Sequence, residues 1–199
     1  MIKLLTKLPK QIAVAFSGGV DSLAAVNFLS RKHDVLCVYF DHGTAHSKKA
    51  LDFVDQYCMK NQLRLLVGVN TATKPRDLSW EEFWRIERYK FLDKCLEPVI
   101  TAHTLDDCVE TYIFSALHGS AKTIPLQRNR VVRPFLTTTK YTLQQWCIRR
   151  GLDWLEDVTN LDPKFQRNYI RHHLLPHALH VNPGLYKTVK KLVLQNLSP

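Results

Sequence analysis

Apolar and polar positions along this chain fall into blocks that read as repeated strand–helix units. Ile12–Phe16 is a short apolar run, and after Ser-Gly-Gly the stretch Asp21–Arg31 is nearly all apolar. A short apolar run ending in a turn predicts a buried strand, and the longer stretch predicts a well-buried helix. Val35–Phe40 and Leu65–Val69 read as two further strands. Between them Ser47 is expected to cap a helix that carries Ala50, Val54, Tyr57 and Cys58 on one side. Thr71–Leu78 is polar, contains Pro75 and reads as a loop. Ser79-Trp80-Glu81-Glu82 has the capping-box pattern and opens a helix with Phe83, Ile86 and Phe91.

The second half repeats the scheme with shorter pieces. Pro98–His103 is a fourth strand, and Thr104 caps a helix with Val109, Tyr112, Ile113, Ala116 and Leu117 at helical spacing. Gly119–Arg130 is basic and irregular, Val131–Phe135 is a fifth strand, and Thr139–Arg150 is a helix closed by Gly151. A last helix is expected from Asn182-Pro183, carrying Leu185, Val189, Leu192 and Val193. Strands alternating with helices predict an α/β fold: a parallel five-stranded sheet with helices on both faces, of Rossmann type. The sheet pattern stops near Leu155, so residues 1–154 are read as a nucleotide-binding domain. Residues 155–199 are read as a short basic helical extension packed on it.

Composition narrows the setting. At 199 residues the chain can bury a substantial core. No apolar run is long enough to span a bilayer, and the first ten residues lack a signal-peptide core, so no membrane association and a cytoplasmic location are expected. Five scattered cysteines without a CxxC pair argue against a disulfide framework and a cysteine zinc site. The formal net charge is +10, and from Pro163 onward there are six Lys or Arg, four His and no acid. That imbalance suits a nucleic-acid ligand as well as it suits a solvated basic face.

Three polar clusters fall at strand ends: Ser17-Gly18-Gly19, Asp41-His42-Gly43 and His103 to Asp107. In open parallel sheets ligands bind beyond the carboxyl ends of the strands, so these clusters mark one site. Ser17, Gly18, Gly19, Asp21 and Ser22 form SGGVDS at a helix start, where amides and the helix dipole favour an anion. Asp21 adds a carboxylate that a phosphate pocket tolerates best when it holds Mg2+. No Lys follows the glycines, so this is not the Walker loop; SGGxDS after a strand is the signature of loops that hold pyrophosphate when ATP is cleaved to AMP. His103, Asp106 and Asp107 could coordinate Mg2+, orient an amine or take its proton, with Glu110 one turn on. A single helix-start Asp would instead read as a complement to the helix dipole.

SGGVDS, DHG, WEEFWRIERYKFL, TAHTLDDCVET, RPFL and EDVTNLDPKFQRNYIRHHLLP occur in that order. Together they resemble the tRNA(Ile)-lysidine synthetase family, over residues 12 to about 176, and look like its N-terminal catalytic domain alone. The resemblance implies an adenine nucleotide α-hydrolase-like fold that binds ATP and Mg2+. It also implies a ligase that adenylates C2 of the wobble cytidine in a CAU-anticodon isoleucine tRNA. Free L-lysine then displaces AMP to give lysidine. By the same resemblance Ser17, Gly18, Gly19, Asp21 and Ser22 hold the phosphates, with Asp21 on the metal. Arg88 looks like a nucleotide-binding residue; His103, Asp106, Asp107 and Glu110 look like the lysine-binding and catalytic group, with His42 beside them. Arg167, Asn168 and Arg171 look like an element closing over ATP or the anticodon.

Plainer readings stand beside these: Arg88 pairing with Glu82 or Asp93, Arg167 capping a carbonyl, and Asp157 with Asn160 building a turn. The chain departs from the family at Thr44-Ala45, where Leu-Arg is usual, and at Cys108, where Gln is usual. The competing functions are a tRNA thiolase using Cys108 and a basic module that binds tRNA without turnover. Oligomeric state is left open, a homodimer among the options.

Overall fold

The computed structural model describes residues 1–156 and 166–197. Its strands are β1 Gln11–Ala15, β2 Asp34–Asp41, β3 Arg64–Val69, β4 Val99–Ile100, β5 Gln127–Arg128 and β6 Val131–Val132. They form one six-stranded sheet in the order β3-β2-β1-β4-β6-β5. All neighbouring pairs are parallel except β5 with β6. The sheet therefore has one strand more than the apolar pattern suggests. β5 is exposed and polar, pairs with β6 at the edge of the sheet, and returns through Asn129 at φ 52°.

The helices are α1 Val20–Leu29, α2 Ala45–Lys60, α3 Trp80–Leu92, α4 Leu105–Leu117 and α5 Lys140–Ile148. A further helical run comprises α6 Gln166–Tyr169, a π-helical turn Ile170–Leu174 and α7 Leu175–Val181; α8 Leu185–Gln195 closes the described chain. Among the described residues no helix is long and apolar enough to cross a membrane.

Two helix starts differ from the sequence reading. The cap of α2 is Thr44, not Ser47: Thr44 Oγ1 accepts the Ser47 N–H, and Thr44 N–H donates to Ser47 Oγ at 2.9 Å. Ser47 is thus the third residue of a reciprocal capping box. The cap of α8 is Gly184, whose N–H is taken by Asn182 Oδ1, so that helix begins two residues after Pro183. In the π-helical turn the Leu175 N–H reaches back to the Ile170 carbonyl. Pro176, which follows, has no N–H and would crowd a carbonyl four residues back, a conflict that a wider turn relieves.

The period-two alternation of strand side chains divides the core. Ile12, Val14 and Phe16, with Cys37 and Tyr39, face a cluster containing Leu23, Val26, Val54, Phe135 and Leu143, contributed largely by α1, α2 and α5. Ala13, Val38, Val99 and Val131 face the opposite way, onto Tyr89 and Leu92 of α3. Gly68 of β3 belongs to this second contact, because a Cβ there would lie 2.6 Å from the Phe91 ring. A third cluster joins Val109 and Cys108 of α4 to Leu175 of α7 and to Val189 and Val193 of α8.

Chain connections run from β1 outward through β2 to β3, and on the other side from β4 to β6. The direction reverses between β1 and β4. A crevice is expected at that reversal, beyond the carboxyl ends of both strands. The phosphate loop follows β1 and the His103 cluster follows β4, so both open onto it.

Candidate active site

The loop after β1 is held by its own serines. Ser17 N–H donates to Ser22 Oγ at 3.2 Å, the Ser22 hydroxyl donates to the Gly19 carbonyl at 2.9 Å, and the two hydroxyl oxygens are 3.1 Å apart. Gly18 has φ +83°, and a Cβ there would sit 3.1 Å from a Phe53 ring carbon and 3.2 Å from a Leu155 methyl. A left-handed, crowded position of this kind requires glycine. Leu155 N–H donates to the Gly18 carbonyl at 3.0 Å, so the chain after α5 lies against the loop. Gly19 caps α1 without a side-chain acceptor, which leaves first-turn amides for a bound anion.

Asp21 stands in that first turn. One carboxylate oxygen, Oδ1, is buried with no hydrogen-bond partner, and Oδ2 is 3.9 Å from Lys140 Nζ. Burial raises its pKa to about 7; Lys140 opposes the rise, while Asp107 and Asp106 add to it. A buried, unpartnered oxygen repelled by two other acids fits a cation. Among the described residues no group of three His, Cys, Asp or Glu could hold a metal unaided. A divalent ion at Asp21 would complete its shell with phosphate oxygens and water, the habit of Mg2+.

The acids of α4 are not equivalent. Asp107 Oδ2 accepts both the N–H (2.7 Å) and the hydroxyl (2.8 Å) of Thr104, which completes the helix cap and leaves Oδ1 available. Asp106 is engaged at both oxygens: Oδ2 accepts the Lys140 N–H at 2.7 Å, and Oδ1 accepts the Tyr186 hydroxyl at 3.0 Å. It ties α4 to the starts of α5 and α8, and its environment is that of a positioning residue. Glu110 is 3% exposed and receives Arg171 as a fork, Nε to Oε1 at 2.6 Å and a terminal nitrogen to Oε2 at 3.0 Å. Burial keeps the Glu110 pKa raised even against this guanidinium. Two residues read as substrate-binding thus hold each other. His103 Nδ1 lies 2.8 Å from Thr101 Oγ1. Burial, with help from the nearby Arg133, Arg88 and Arg167 charges and against Asp107, lowers its pKa to about 3. It is neutral at physiological pH.

Near His103 lies a basin of positive charge. The guanidinium carbons of Arg85, Arg88, Arg128 and Arg133 sit 5.0, 5.7, 5.3 and 6.0 Å from the centre of the Tyr89 ring. Arg133 is 2% exposed; it donates to the Tyr89 hydroxyl at 3.1 Å and to the Pro125 carbonyl at 2.9 Å. Burial lowers the pKa of Arg85 and Arg88, and Arg167 lowers both further. Arg88 makes no ion pair with Glu82 or Asp93. His42 lies between Phe40 (ring centroids 5.1 Å) and Trp84 (5.8 Å), and its Nδ1 is buried without a partner. Burial first, then Arg88, lowers its pKa to about 4, with Asp41 opposing.

Asn168 is buried beside Arg167 in α6. Asp157 and Asn160 lie outside the described residues. Arg85, Arg128, Arg133 and Lys140 complete the site without a role read from the sequence; Arg85 lies one turn before Arg88, and Arg133 opens the RPFL element. Cys108 is fully buried, and burial raises its thiol pKa to about 12, so it is no accessible nucleophile. A cavity of about 370 Å³ between the 123–127 segment and α8 is lined by no titratable side chain.

Residues 2–178 match the family model described as PP-loop domain. A tRNA(Ile)-lysidine synthase from Thermosipho africanus is 31% identical over 92% of this chain and 47% of its own length. One from Lactiplantibacillus plantarum is 32% identical over 94% of this chain and 46% of its own. The chain therefore spans a little under half the length of these curated relatives. In fold it is similar to an NH3-dependent NAD synthetase from Campylobacter jejuni, with TM-score 0.52 and 15% identity over 96% of this chain and 86% of the other.

Proposed function

Since the chain belongs to the PP-loop domain family, we propose that it carries out the chemistry of the tRNA(Ile)-lysidine synthases it resembles. In this reading ATP adenylates C2 of the wobble cytidine of a CAU-anticodon isoleucine tRNA, with release of pyrophosphate. The amine of L-lysine then displaces AMP. The observation that carries the reading is a convergence at the β1/β4 reversal. Asp21 of the serine-bonded loop feels the charges of Asp106 and Asp107 of α4, and His103 beside those acids feels Arg88, Arg133 and Arg167.

Each group has a task suited to its surroundings. The α1 amides and the Ser17 and Ser22 hydroxyls seat phosphate oxygens, and Gly18 and Gly19 keep the backbone close to them. Asp21 would hold Mg2+, which when bound neutralises charge on the departing pyrophosphate. Arg88, with Arg85 and Arg167, offers fixed positive charge for the phosphates or for the tRNA backbone. The free oxygen of Asp107, together with Glu110, offers acceptors to the lysine amine. Glu110 becomes available once Arg171 turns to an incoming anion. His103 orients by hydrogen bonding, since it stays uncharged. The buried Cys108 leaves a thiolase without a sulfur carrier.

The test is one assay with purified protein, ATP, labelled lysine and a CAU-anticodon isoleucine tRNA transcript, with methionine tRNA as control. Lysine attached to the isoleucine tRNA, and lost in Asp21→Ala, is the expected result. No lysine transfer and no AMP release with any tRNA would overturn the proposal.

A further inference from the structure

The exposed end of α3 carries a feature that neither the phosphate loop nor the acids require. Trp80, Trp84 and Arg88 are spaced four residues apart and share one stripe of the helix. Trp80 is 56% exposed, and its ring is 5.4 Å from that of Trp84, tilted by 35°. Trp84 in turn is 5.8 Å from His42, which is 5.1 Å from Phe40 at the end of β2. The buried Phe83 ring meets Trp80 edge-on at 6.0 Å. Lys74 lies over Trp80 at 5.5 Å and is held there by bonds to the Pro75 and Leu78 carbonyls. A ladder of aromatic rings therefore descends from solvent to the arginine basin, with a fixed cation at its outer end.

Folding alone gives no reason to leave the largest apolar side chain half in water on the first turn of a helix. An unpaired nucleotide matches what is displayed: a π-face for the base, and cations at both ends of the ladder for the phosphates. Among the described residues no carboxylate forms an ion pair with Arg88, which suits a phosphodiester. We propose that the Trp80–Trp84 stripe is a stacking platform for unpaired RNA nucleotides that flank the one entering the crevice. It rests on the tRNA reading above and adds to it where the neighbouring bases lie.

The experiment compares Trp80→Ala, Trp80→Leu and Trp80→Phe with the parent chain. The probes are a fluorescein-labelled RNA hairpin with a CAU-containing loop and a blunt RNA duplex of equal stem length. One lost stacking contact should weaken hairpin binding roughly tenfold. Ala and Leu should both show this loss, Phe should largely restore binding, and duplex binding should not change. The salt dependence of hairpin binding should keep its slope, because no phosphate contact has been removed. Parental hairpin affinity in Trp80→Ala, or equal affinities for Leu and Phe, would overturn the platform. The lysine-transfer assay judges the reaction separately. Hairpin binding lost in Trp80→Ala by a chain that transfers no lysine would keep the platform and discard the ligase. Lysine transfer with unchanged hairpin binding in Trp80→Ala would do the reverse.

Discussion

Replacing Arg171 by Met would strand a carboxylate. Glu110 is 3% exposed, and both of its oxygens are satisfied by Arg171 at 2.6 and 3.0 Å. Removing one member of a buried pair costs about 3–5 kcal/mol, because the charge left behind has lost its solvent and its partner. Arg171 keeps 28% of its side chain in solvent, so the low end, about 3 kcal/mol, is expected near neutral pH. The cost must depend on pH. Glu110 already has a folded pKa above its ordinary 4.5 through burial, with Arg171 holding it down. Without Arg171 the folded pKa rises further, so the folded state binds the proton more tightly than the unfolded chain. Stability is then complete below about 4.5 and falls as pH climbs from there to the folded pKa, by about 1.4 kcal/mol per unit within that window. Urea unfolding followed by circular dichroism at pH 5 and pH 8 measures both quantities. Arg171→Met should be much weaker than the parent at pH 8 and closer to it at pH 5. Glu110→Gln combined with Arg171→Met should recover most of the loss, since no charge remains buried. A loss below about 1 kcal/mol at pH 8, or one equal at both pH values, would refute the reasoning.

Gly18→Ala should cost about 1–2 kcal/mol from the left-handed backbone alone, with crowding against Phe53 and Leu155 added, and should weaken ATP binding in calorimetry; parental values for both would contradict this. Asp106→Asn should lower stability by about 1–2 kcal/mol, because the amide's single oxygen can accept from only one of the Lys140 N–H and the Tyr186 hydroxyl. Tyr186→Phe should share that loss in a double-mutant cycle, and full additivity would show that the two do not act together. His42, with its pKa lowered to about 4, resists protonation when folded, so its contribution is present above pH 6.5 and is lost as pH falls toward 4. Between pH 7 and pH 4.5 the parent should therefore lose more stability than His42→Gln, and equal losses would remove His42 from the account.

Much of this architecture was legible because β1, β2 and β3 are long apolar runs and the polar clusters follow strands directly. β4 and β6 were overread. Ile100 and Val132 are the last paired residues, and the apolar positions beyond them pack against helices instead of extending the ladder. β5 escaped because Gln127 and Arg128 have no apolar face; the only hint was Asn129, a residue suited to a positive φ in a two-residue turn. In the site, SGGVDS and the α4 acids announced themselves by local order. Whether a given acid was free did not. Asp106 is occupied by Lys140 and Tyr186, residues 34 and 80 positions away, and Glu110 by Arg171, 61 away. Arg133 and Lys140 join the site through the same long-range folding, which spacing along the chain does not encode.

The bond from the Leu155 amide to the Gly18 carbonyl gives the loop a built-in gauge. Any excursion that swings the loop out of its seat must break this bond and expose one identifiable amide hydrogen to water. Deuterium uptake at residue 155 therefore counts loop openings in the empty protein. A nucleotide that holds the loop shut would slow that single amide in proportion to its occupancy. One peptide in a mass spectrum would then report, without label or turnover, how tightly the site is closed.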